Sequence, residues 1–103
     1  MKKNLKRHIR RVYATAKAKE HIERKHQVHW EEVLEALESN PTIYRTYPSP
    51  SGERRYVAFG RTEAGRKLVI VMALESQNTF RVITAYEPKT KKQLRRFKRK
   101  EGK

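Results

Sequence analysis

Cysteine is absent from this chain of 103 residues, which excludes disulfides and thiolate metal sites. Long apolar runs are absent too: the longest, Leu68 to Leu74, is far short of the roughly 20 residues that a membrane span needs. A soluble chain without a membrane partner is therefore expected. Acidic residues are missing from the first nineteen positions and glycine occurs only four times, so the few glycines mark turns. The length suits one domain with a modest core that needs no covalent staple.

Basic residues are plentiful. The net charge is +15, from 26 Lys and Arg against 11 Asp and Glu. Met1 to Lys19 holds eight basic residues, and Lys89 to Lys103 holds nine with one acid. The segment between them is close to neutral, with nine basic and ten acidic residues. Cations concentrated at both ends of a neutral domain suit a polyanion, because clustered Lys and Arg release counterions from a phosphate backbone. Charged tails that aid solubility and an acidic membrane surface are the alternative readings.

The stretch from Gly52 to Ala85 reads as three strands. Arg54 to Phe59 and Arg81 to Ala85 are rich in β-branched and aromatic residues, and Lys67 to Leu74 is nearly continuous apolar sequence, as in a strand covered on both faces. Gly60, Gly65 and Arg61 to Glu63 suit a first hairpin, whereas Glu75 to Thr79 is a polar connection without glycine. Thr42 to Tyr47 adds a strand ahead of these.

Helical patterns flank the sheet. Leu5, Ile9, Val12 and Ala16 recur at helical spacing, so Met1 to Lys19 is expected as a basic amphipathic helix; a mitochondrial presequence would also lack acids, but serine is absent here. Helix-favouring residues continue from Ala14 to Lys25, anchored by Ile22. Trp30, Val33, Leu34 and Leu37 define a second helix, Trp30 to Glu38, stopped by Ser39, Asn40 and Pro41, with Glu31, Glu32, Glu35 and Glu38 outward. Thr90 can cap a basic last helix, Lys91 to Lys100, anchored by Leu94 and Phe97. The expected fold class is α+β, with two N-terminal helices, a four-stranded antiparallel meander and a basic C-terminal helix. Residues 1–13 form an extension, 14–99 the domain and 100–103 a tail.

The series EHIERKHQVHWEEVLEALESNP (Glu20 to Pro41), GERRYVAFGRTEAGRKLVIVM (Gly52 to Met72), RVITA (Arg81 to Ala85) and the basic last helix resembles the BrnT family of bacterial toxins. The resemblance covers about Ala14 to Arg99. Its strongest pieces are Lys25-His26-Gln27-Val28 with Glu31-Glu32-Val33, and the hairpin Gly60 to Arg66. It departs where the family usually has Gly and this chain has Gln27, and where Tyr86 replaces the Arg that usually follows the last strand. The resemblance implies a RelE-like fold and a cytoplasmic ribonuclease toxin of a type II toxin–antitoxin system. Implied partners are RNA, as mRNA and in some cases on the ribosome, and a cognate antitoxin with a ribbon-helix-helix domain.

RNA cleavage by 2′-OH attack needs a proton acceptor, a donor for the leaving 5′-oxygen and cations on the pentavalent phosphate, with no metal, cofactor or small-molecule substrate. Arg54, Arg61, Arg66 and Arg81 are candidate cations, His21 and His26 candidate proton carriers, Glu63 an alternative base and Tyr86 a phosphate donor. Arg10, Arg11, Lys25, Arg54, Arg66, Arg95, Arg96 and Arg99 are candidates for gripping nucleic acid. Structural roles compete: Arg61 and Glu63 could simply close a turn, and His26 could simply end a helix. The four histidines make a poor metal set, since His21 and His26, five apart, project about 140° from each other on a helix. Phe59 and Trp30 are expected in the core, leaving Tyr56 and Tyr86 as stacking platforms. A non-catalytic nucleic-acid-binding module and a domain that grips an acidic protein remain the other function classes.

Overall fold

In the computed structural model, which describes residues 11–101 and side chains through Phe97, the elements run β1 (Arg11–Tyr13), α1 (Ala16–His26), α2 (Trp30–Glu38), β2 (Thr42–Thr46), β3 (Arg55–Arg61), β4 (Lys67–Ser76), β5 (Thr79–Tyr86) and α3 (Lys91–Glu101). The expected meander is there: β2, β3, β4 and β5 pair antiparallel in sequence order. Among the described residues the sheet nevertheless has five strands, not four, in the order β1-β5-β4-β3-β2, and β1 lies parallel to β5. It is a mixed sheet.

β1 corrects the expectation of one helix through Met1 to Lys19; residues 1–10 lie outside the described part. Val12 has the spacing for a helix, but it pairs with Phe80 and packs against the core from the edge of β5, and Arg11 N–H donates to Asn78 O at 3.2 Å. Tertiary pairing overrides a weak local preference. The helix starts at the N-cap Thr15, whose hydroxyl accepts from Ala18 N–H at 3.1 Å.

α1 ends at Gln27, which takes the left-handed conformation (φ 54, ψ 41) and returns its N–H to Glu23 O. A non-glycine residue thus makes the turn that glycine usually makes. The β4–β5 connection is equally glycine-free, with Asn78 at φ 59 supplying the positive angle. Gly65 (φ 93) closes the β3–β4 hairpin, where Thr62 N–H donates to Arg66 O at 2.9 Å. Gly60 has a different task from the expected turn: it lies inside β3, where a Cβ would stand 2.3 Å from Ala36 O of α2.

Strand alternation splits the core between two faces. Ile43, Tyr56, Ala58, Leu68, Ile70, Met72, Val82 and Ala85 pack against Ile22 of α1 and Val33, Ala36 and Leu37 of α2. On the other face Phe59 and Val69 receive Phe97 of α3, with Tyr44, Val57 and Tyr86 alongside. Tyr56 is therefore core, 6% exposed and edge-to-face with Phe80, and is not a stacking platform. Phe59 is buried as expected, and Trp30 is partly buried beneath the Lys19 ammonium.

Candidate active site

The last turn of α1, the end of β5 and the loop into α3 meet at one end of the sheet. Ile22 buries one side of α1 and leaves His21, Lys25 and the rim residue His26 on the outer side. There the His21 and His26 rings come within 5.6 Å, edge on, despite their angular separation, with His26 the last helical residue. The Tyr86 ring lies 5.7 Å from His26 on the other side, and the Lys89 ammonium stands 4.8 Å above that ring. Two imidazoles, a phenol and two ammonium groups thus share one surface.

Partial burial holds the His26 imidazole below its ordinary pKa, and the nearby Lys89, His21 and Lys25 push it the same way. Both causes disfavour adding another charge. At neutral pH the ring is a free base.

Arg66 lies beside this cluster but is fully engaged. Its Nε donates to Glu87 at 2.7 Å, Nη1 to Glu32 and Gln27 O at 2.9 Å, and Nη2 to His26 O at 3.3 Å. These bonds satisfy the carbonyls left open at the end of α1 and tie α1, α2, the β3–β4 hairpin and the segment after β5 together. Burial alone would raise the Glu32 carboxyl, but the His29 N–H and the Arg66 guanidinium outweigh it and hold it below the usual value.

The other sequence candidates are dispersed. Arg61 is at the same end of the sheet on β3, across β4 from Tyr86, with its guanidinium 5.9 Å from the Phe97 ring. Glu63 is exposed in the hairpin, its N–H donating to Glu35 at 3.1 Å. Arg81 is five residues down β5 from Tyr86, about 16 Å away at strand spacing. There it bridges Glu53 at 2.7 Å and Glu75 at 2.8 Å, and Glu75 also accepts from the Tyr13 hydroxyl. Arg54 and Arg11 are exposed near that far end. On α3, Arg95 is exposed and Arg96 lies 4.3 Å over the Tyr44 ring. Arg10 and the Arg99 side chain fall outside the described parts. The candidate arginines thus do not gather around the two histidines.

Sequence reasoning overlooked Lys89 and Gln93. The signal was available: Thr90 followed three residues later by Gln93 is a capping box, and both halves are made, Gln93 N–H to Thr90 Oγ1 at 3.1 Å and Thr90 N–H to Gln93 Oε1 at 3.4 Å. The carboxylates that neutralise Arg66 and Arg81 carried no such signal: three of the four contacts span 21 to 34 positions, and Glu75 reaches Arg81 across the β4–β5 turn.

An α+β domain with cationic ends and proton-carrying groups gathered at one end of its sheet has the equipment of a protein that handles phosphodiesters. Over residues 13–92 the chain matches the family described as the ribonuclease toxin, BrnT, of type II toxin–antitoxin systems, and it belongs to that family. No curated protein matches it. RNA as substrate and an antitoxin as partner follow from the family. Among the described residues no helix is long and apolar enough to cross a membrane.

Proposed function

We propose that this chain is a metal-independent endoribonuclease that inhibits translation by cutting mRNA in the cytoplasm, and that its reaction centre is the His21–His26–Tyr86 cluster. The observation that carries this reading is His26: an imidazole kept neutral by its surroundings, in ring contact with a second imidazole and a phenol. His26 takes the 2′-OH proton as the oxygen attacks the adjacent phosphorus. His21 returns a proton to the departing 5′-oxygen, and Tyr86 donates to a phosphate oxygen. The products are a 2′,3′-cyclic phosphate and a 5′-hydroxyl. Arg95, Arg96 and Lys25 hold flanking phosphates, and a ribbon-helix-helix antitoxin encoded beside the gene restrains the activity.

Incubating the purified chain with RNA in the presence of EDTA tests the proposal. Cleavage is expected, with His26→Ala slower by about 10²–10⁴-fold, the usual contribution of a general base. Intact RNA, or a His26→Ala variant that arrests growth and translation like the parent, would refute it.

The engagement of Arg66 and Arg81 by two carboxylates each favours a second reading, a non-catalytic RNA-binding module, because these cations are consumed internally. Salt-sensitive RNA binding with no cleavage selects it.

A further inference from the structure

Lys89 sits in the short segment between β5 and α3, and its position is set by its neighbours. Its ammonium is 4.8 Å from the Tyr86 ring centroid, a cation–π contact. The backbone beneath it is pinned: the N–H groups of Lys89 and Thr90 both donate to Gln93 Oε1, at 2.7 and 3.4 Å. The same Gln93 side chain extends Nε2 to the Tyr86 hydroxyl at 3.5 Å. One amide therefore fixes the loop that bears Lys89 and touches the phenol beneath it.

Charge compensation distinguishes Lys89 from Arg66. Among the described residues no carboxylate bridges it, whereas Arg66 is held by Glu32 and Glu87. The groups around the His26 imidazole are His21 and Lys25 from α1, Tyr86 from the end of β5 and Lys89 from the loop beyond; Arg66, in the β3–β4 hairpin, donates to the His26 carbonyl and to Glu87. Glu87 is committed to Arg66. What faces the imidazole is the positive charge of Lys89 and Lys25, which no carboxylate bridges among the described residues.

Building on the ribonuclease reading, we propose that Lys89 is the phosphate-binding cation of the site, its ammonium holding a non-bridging oxygen of the scissile phosphate between Tyr86 and His26, and that Gln93 is the residue that positions it. A compact ammonium acts as a point charge on the phosphorane, where charge builds up most in the transition state.

The test uses the full chain with Lys89→Gln, Lys89→Arg and Gln93→Ala, and as probe a mixed-sequence oligoribonucleotide fully 2′-O-methylated, which binds but cannot react. Lys89→Gln should flatten the plot of log K against log[salt] by about 0.7, the increment for one phosphate contact on a single strand. In the same variant the His26 ring, followed by NMR, should titrate at higher pH, since a neighbouring cation is gone. Lys89→Arg should keep the slope, and Gln93→Ala should lose part of it. A Lys89→Gln slope equal to the parent's overturns the assignment, and a Gln93→Ala variant indistinguishable from the parent overturns the positioning role. If the parent leaves ordinary RNA uncut while the slope depends on Lys89, the ribonuclease reading fails and the phosphate site stands. If Lys89→Gln cuts RNA with unchanged kcat and KM and an unchanged slope, the reverse holds.

Discussion

At the scale of single residues, two positions carry unfavourable local states that the fold tolerates. Gln27 occupies the left-handed region at φ 54, which disfavours a residue with a Cβ by about 1–2 kcal/mol. Its side chain recovers part of this through a hydrogen bond from Nε2 to Arg24 O at 3.2 Å. Gln27→Gly should accordingly raise unfolding stability by about 1 kcal/mol, read as a higher urea midpoint with an unchanged m-value. Thr84 Oγ1 is buried with no hydrogen-bond partner, and a buried unpaired hydroxyl costs about 1–3 kcal/mol. The near-isosteric Thr84→Val should raise Tm by several degrees in calorimetry, about 4–8 °C per kcal/mol at this size. His26 adds a pH dependence of known sign. Its folded pKa lies below the ordinary 6.5, so the unfolded chain binds the extra proton first. Its contribution to stability is present above pH 6.5 and is lost as pH falls toward the folded value. The acidic limb of RNA cleavage should likewise fall below 6.5 in a pH–rate profile.

At the scale of elements, close approach matters more than composition. α2 lies so near β3 that Ala36 O occupies the space a side chain at position 60 would need, and the two nearest atoms, Ala36 O and C, are backbone. Gly60→Ala must push helix and strand apart, and a loss of about 3 kcal/mol or more is expected in denaturant unfolding, at the upper end for overpacked sites. Much of this architecture was legible in sequence. The bounds of α2, the antiparallel order of β2 to β5 and the anchor Phe97 all followed from periodicity and turn chemistry, because each depends on neighbours within about ten residues. β1 was illegible for the opposite reason: three residues become a strand only because the edge of β5 is there to receive them. Tyr56 was misjudged because α1 and α2 cover one sheet face and α3 packs on the other, so alternation did not separate core from solvent. In the proposed site, His21 and His26 were named by residue type and Tyr86 through the resemblance, whereas the commitment of Arg66 and Arg81 to carboxylates depended on contacts 21 to 34 and 6 to 28 positions away.

At the scale of the whole molecule, the charge of +15 resides mainly in the terminal segments, while the body neutralises itself through the Arg66 and Arg81 networks. RNA affinity should therefore fall steeply with salt. Six engaged phosphates correspond to a slope near −4 on a logarithmic plot for a single strand. Acid should act on the body instead of the arms. Glu32 is held below its ordinary 4.5, so the stability it contributes is complete above that pH and disappears as pH drops through the lowered value, a loss that circular dichroism below pH 4.5 would register.

The sheet has two flanks, and they are protected differently. β2 is short and bracketed by Pro41 and Pro48, but β5 is long, and among the described residues what covers its flank is the three-residue β1. A chain cut back to Ala14 would keep every helix and every meander strand yet offer bare peptide groups along β5 to the next molecule, and such exposed edges template stacking between copies. Shelf life in concentrated solution, a property remote from RNA chemistry, thus rests on Arg11, Val12 and Tyr13.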